Sequence, residues 1–166
     1  MDGGDEEGGG RGPLPVEEDL VLLLTAAAAG ATAAVEDALA QAGFPLLRER
    51  HGYLVQHLVP GPQPVRVLAE RLGVTQQGAS KMVLELEQLG VVTKNAGRDA
   101  RVREVSLTER GHAVVAAARE ARRRFRDEQR RRTGAEEYER LRSAVEQVAR
   151  STGGLQALVD RRLRRD

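Results

Sequence analysis

The sequence predicts a mainly α-helical protein with one small β-hairpin, and three observations predict it. Apolar residues recur at helical spacing through most of the chain. Only after Gly90 does the period change from near 3.6 to 2, where helix gives way to strand. Ala69, Gly73, Ala79 and Met82 stand at offsets that suit a helix-turn-helix. A small residue lies where two helices cross, a Gly lies where φ turns positive, and apolar residues pack the second helix on the first.

Within the motif, Val65, Leu68, Ala69 and Leu72 pattern the first helix. Thr75 is read as the N-cap of the second, from Gln76 to Leu89. Ala79, Met82, Val83, Leu86 and Leu89 face the core. Gln76, Gln77, Gly78, Ser80, Lys81 and, a turn later, Leu84 and Glu85 are left to face outward. Gln pairs with adenine edges, Lys with guanine or phosphate, and Ser with either. The helix N-terminus favours phosphate. An ordinary solvated helix face explains Gln and Ser equally well.

The next stretch sharpens the reading. Val91 to Lys94 and Val102 to Leu107 read as strands around a polar loop, Asn95 to Arg101. Lys94, Arg98, Arg101 and Arg103 surround one acid, Asp99. A helix-turn-helix followed by a charged hairpin makes a winged helix. Residues 64–112 carry eight basic and six acidic residues, so electrostatic affinity for DNA would depend on where the charges sit. Glu70, Glu85 and Glu87 must then lie away from DNA.

LAERLGV, LEQLGVV, the wing RDAR and the exit VSLTERG occur in this order. On these motifs the middle third of the chain resembles the MarR family (multiple antibiotic resistance regulators). The resemblance implies a bacterial, cytoplasmic transcription factor, associated with the nucleoid through DNA. It would be a homodimer of two winged-helix lobes on a helical frame. Residues 76–81 would enter a major groove and 95–101 a minor groove of a pseudo-palindromic operator. It assigns minor-groove insertion to Arg101 and bracing to Asp99. It also implies repression relieved by a small-molecule effector.

The flanking segments follow in order. Seven acids and one Arg give residues 1–19 a net charge of −6, leaving the remainder at +7. Residues 1–15 are Gly-rich and acidic and are read as a disordered tail. Residues 16–62 are read as N-terminal frame helices, 63–107 as the winged lobe and 108–166 as C-terminal frame helices. The first helix, 16–42, is apolar nearly all round from Leu20 to Ala29, so it must be covered on more than one side. Its apolar run, Leu20 to Val35, is about 16 residues, short of a membrane span. It is read as a buried helix of a dimer.

A second helix is read over 45–59. It carries His51, Tyr53 and His57, with Arg48 nearby, the one concentration of versatile side chains outside the DNA-reading region. As a candidate effector pocket these four would lie between frame and lobe. The plainer reading puts His51 on the surface and His57 half-buried. The region of Gln63 is expected to add a short strand to the wing.

Thr108 caps the next helix, whose segment 119–132 carries eight Arg, read as a solvated helix with Glu120, Asp127 and Glu128 as partners. Thr133 to Glu136 reads as a capping box. Tyr138, Leu141, Val145 and Val148 then form a seam that needs a partner. No Cys is present, which excludes disulfides and thiol redox sensing. Aromatics are 2%, so an aromatic-lined pocket is not expected. No catalytic constellation, cofactor or metal motif is visible, and the N-terminus lacks the pattern of a secretory signal. The competing reading is a dimeric winged-helix protein-interaction module.

Overall fold

Gly73 and Gly90 are the two joints on which the lobe turns. The computed structural model describes residues 18–44, 47–96 and 103–160. Its helices are α1 (Leu20–Gln41), α2 (Glu49–Leu58), α3 (Val65–Leu72), α4 (Gln76–Gln88), α5 (Glu109–Thr133), α6 (Ala135–Ser151) and α7 (Gly154–Asp160). Its strands are β1 (Gln63–Pro64), β2 (Val92–Ala96) and β3 (Arg103–Leu107).

At Gly73, φ is 66° and ψ 36°, the left-handed conformation that Gly adopts without steric cost. Its N–H bonds Glu70 O, and the Val74 N–H bonds Ala69 O. Both satisfy carbonyls at the end of α3 and turn the chain toward α4. Gly90, at φ 70°, does the same after α4, with the Val91 N–H bonding Leu86 O. The chain then enters β2, which pairs antiparallel with β3 from Val92–Leu107 to Ala96–Arg103. β1 pairs with the other edge of β3, as the sequence led us to expect, giving the order β1-β3-β2.

The core fills the space between α2, α3, α4, the sheet and the start of α5. Leu54, Leu58, Leu68, Leu72, Val83, Leu86, Val91, Val92, Val105 and Val114 are fully buried. Each such side chain contributes about 1.5–3 kcal/mol relative to exposure in water. Phe44 and Tyr53 only edge this core, so branched aliphatics hold the lobe, as the composition implied. At the sheet's exit, Thr108 Oγ1 accepts from the Gly111 N–H at 3.0 Å and caps α5. Gly111 there lies so close that a Cβ would meet Val91 O at 2.2 Å.

The flanking helices correct several expectations. Asp19 caps α1, its Oδ1 accepting from the Val21 and Leu22 N–H groups at 2.8 and 3.1 Å. α1 runs 22 residues, long and apolar enough by length and composition to cross a membrane. The strongly apolar run alone, which ends at Val35, is shorter than a span, whereas the helix continues to Gln41. On this helix Leu20, Val21, Leu22 and Leu23 are exposed, and Leu39 is its buried residue.

The capping box at Thr133 does not form. α5 runs through Thr133, whose hydroxyl donates back to Gln129 O, and Gly134 is the N-cap of α6 without a side-chain cap. The Arg-rich helices are laced by their own acids. Glu120 holds Arg123 and Arg124, Glu128 holds Arg131 and Arg132, and Glu146 holds Arg142 and Arg150. Those bonds hold the three carboxyls below the usual carboxylate range. The seam residues Leu141 and Val145 are 52% and 43% exposed.

Candidate nucleic-acid interface

α4 is presented by its cap. Thr75 is extended, and its Oγ1 accepts from the Gly78 N–H at 3.1 Å. A Cβ on Gly78 would approach that oxygen to 3.3 Å, so the absence of a side chain keeps the cap tight. Ala79, Met82, Val83 and Leu86 are buried against the lobe, which fixes the helix's rotation. Thr75, Gln76, Gln77, Ser80 and Lys81 are exposed and Gly78 is half-buried. Among the described residues Lys81 has no carboxylate within ion-pair distance.

The acids of this helix are turned aside. Glu85, expected on the outward face, points to α2. Its Oε2 accepts from His51 Nε2 at 2.7 Å and from Arg50 at 2.9 Å. Those two bonds, His51 first, hold its carboxyl below the usual range against the opposing effect of burial. Glu87 pairs with Lys94 of β2 at 3.2 Å, and Glu70 pairs with Arg66 at 2.5 Å on α3. The outward face of α4 therefore carries a cation, neutral polar groups and the half-exposed Leu84, with its flanking carboxylates neutralised by neighbours.

The wing residues divide. Lys94 is committed to Glu87, and Arg103 is exposed at the first position of β3. Arg98, Asp99 and Arg101 lie outside the described residues.

The four candidate pocket residues do not come together. Arg48 and His51 line an open cleft of about 260 Å³ with Glu85, Gln88 and Leu89. Tyr53 and His57 do not line it; Tyr53 edges the core and His57 is buried. His51, which the plainer reading put on the surface, is 4% exposed. Glu85 is the residue that sequence reasoning missed here. Its position about 80° off the centre of the outward arc was the available signal. Among the described residues no group of three or more His, Asp or Glu is placed to hold a metal ion.

No protein-family model and no curated protein matches the chain. Solved structures do. Rv1404 from Mycobacterium tuberculosis superposes with a TM-score of 0.68 at 23% identity, over 85% of this chain and 99% of that one. A point mutant of MepR from S. aureus, bound to an oligodeoxyribonucleotide, gives 0.57 at 19% identity, over 81% and 98%. A MarR-family transcriptional regulator from Rhodococcus sp. RHA1 gives 0.54 at 20% identity, over 82% and 96%. The likeness spans nearly the whole of each of these proteins, so the fold recurs in regulators from end to end. The chain has the winged helix-turn-helix fold of the MarR-family transcriptional regulators.

Proposed function

We propose that this chain is a DNA-binding transcriptional regulator, a homodimer that represses by occupying an inverted-repeat operator. The observation that carries the reading is the outward face of α4. Gln77, Ser80 and Lys81 are exposed together, while Glu85 and Glu87 are bound to neighbours at its flanks. Such a face offers hydrogen bonds to base edges and a cation to phosphate without repelling the duplex. MepR, with this fold, is seen on an oligodeoxyribonucleotide.

In this reading the exposed apolar residues of α1, α6 and α7 are covered by a second copy. The residues concerned are Leu20 to Leu23 on α1 and, separately, Leu141 and Val145 on α6 and Leu158 and Val159 on α7. α1 then serves as a dimer helix in the cytoplasm, not as a membrane span. Two lobes related by a two-fold axis would address half-sites about 10 bp apart. Gln76, Gln77, Gly78, Ser80 and Lys81 would face the major groove. Arg98, Arg101 and Arg103 would face the adjoining minor groove, with Asp99 bracing Arg101. The cleft beside His51 is the place for a small effector, because an occupant there would touch Glu85, Gln88 and Leu89 at the C-terminal end of the reading helix.

The test is a salt titration of duplex binding with three proteins: wild type, Lys81→Ala, and Arg98→Ala with Arg101→Ala. Loss of one phosphate contact lowers the slope of log K against log salt by about 0.9 per site. Unchanged affinity and slope in both variants would point instead to a protein partner for this face.

A further inference from the structure

Four side chains occupy the middle of the exposed arc of α4: Gln77, Ser80, Lys81 and Leu84. Their spacing is i, i+3, i+4 and i+7, so at 100° per residue they fall within an arc of about 100°. A recognition helix lying along a major groove presents positions at this spacing to successive base pairs. Three of the four are polar. The fourth, Leu84, is 49% exposed, whereas the helix's other aliphatic side chains within Ala79–Leu86 are buried. The lobe does not use it. The carboxylates that could crowd it are held off on either side, Glu85 by His51 and Arg50, Glu87 by Lys94.

An apolar group at the centre of a reading face needs an apolar feature opposite. On base edges in the major groove that feature is the C5-methyl group of thymine; the other edge groups are hydrogen-bond donors and acceptors. We infer that Leu84 is a specificity-determining residue, meeting a thymine methyl about two and a half helical turns into the groove from the α4 N-cap. The inference rests on the DNA-binding reading above. It adds that each half-site contains a thymine at a fixed distance from the bases that Gln77 and Lys81 address. Leu84 contributes no hydrogen bond there. It discriminates by shape and by removing one methyl group from water.

The experiment uses the full chain and a duplex that it binds in preference to a shuffled one. Each thymine in turn is replaced by deoxyuridine, which keeps the base pair and removes only the methyl group. Binding by wild type and by Leu84→Ala is compared at each position. The expected result is one position per half-site where deoxyuridine weakens wild type about fourfold, the worth of one buried methyl-sized group. At that position Leu84→Ala binds both duplexes equally. Leu84 is half-exposed and Ala is the better helix former, so the variant's fold is secure, and the wild-type arm stands without it. Preferential binding with no methyl dependence at any position, or with the same dependence in Leu84→Ala, overturns the assignment and leaves the DNA-binding reading standing. No preference for any duplex overturns both.

Discussion

Replacing Gly111 by Ala should destabilise the lobe, although Ala is the better helix former. The added Cβ would stand 2.2 Å from Val91 O, with Leu107 Cδ2 at 3.2 Å. Relief needs the first turn of α5 to retreat by about 1 Å, to an ordinary contact. That retreat stretches the bonds that Val91 O accepts from the Thr108 N–H at 3.1 Å and the Thr108 hydroxyl at 3.2 Å. Each is worth about 1 kcal/mol. Overpacking adds about 1–3 kcal/mol, and the helix preference of Ala returns about 1 kcal/mol. The net loss is about 2–4 kcal/mol, a substantial share of a domain stability of about 5–15 kcal/mol. The control is Gly52→Ala in α2, where a Cβ has nothing within 4 Å; it should gain up to about 1 kcal/mol. Urea unfolding followed by circular dichroism, at one protein concentration because assembly shifts apparent stability, measures both. A Gly111→Ala protein as stable as wild type would refute the close approach of α5 to the β2 strand entry.

Three further outcomes are expected. Glu85 has a folded pKa below its ordinary 4.5, so its contribution to stability is present above that value and lost as pH falls through the lower folded one. Glu85→Gln should therefore flatten the acid limb of a stability–pH curve below about pH 4.5, and an unaltered limb would count against the His51–Glu85–Arg50 link. Glu87→Gln should release Lys94 toward the duplex, strengthening non-specific binding and steepening its salt slope by about 1 per protomer; a weaker complex would mean that Glu87 positions the wing. Leu141→Asp with Val145→Asp should leave helical content intact and halve the sedimenting mass, whereas a persisting dimer would move the interface away from the α6 seam.

The lobe was legible because its instructions are local. Gly73 and Thr75 act through backbone angles and a cap within three residues, and the change of period at Gly90 is visible in the apolar pattern itself. The solvated fate of the Arg run was legible for the same reason, since its partners lie three and four residues away. What sequence reasoning missed depends on distant partners. His51 looks like a surface residue until Glu85, 34 positions on, is seen to accept its hydrogen bond. Glu85 likewise belongs to the outward face only while α2 is out of view. Thr133 matched a capping pattern, but α5 extended through it and its hydroxyl was taken by Gln129 O.

In the proposed function the face from Gln77 to Lys81, in two copies, reads DNA. The most direct measurement is footprinting and equilibrium binding of the purified protein on DNA from upstream of its own coding region, against a shuffled duplex, across a range of salt. The expected result is preference for the native duplex, a protected inverted repeat with half-sites about 10 bp apart and two chains per site. Equal, weak and steeply salt-dependent binding to both duplexes would contradict it, because a basic surface alone gives that result.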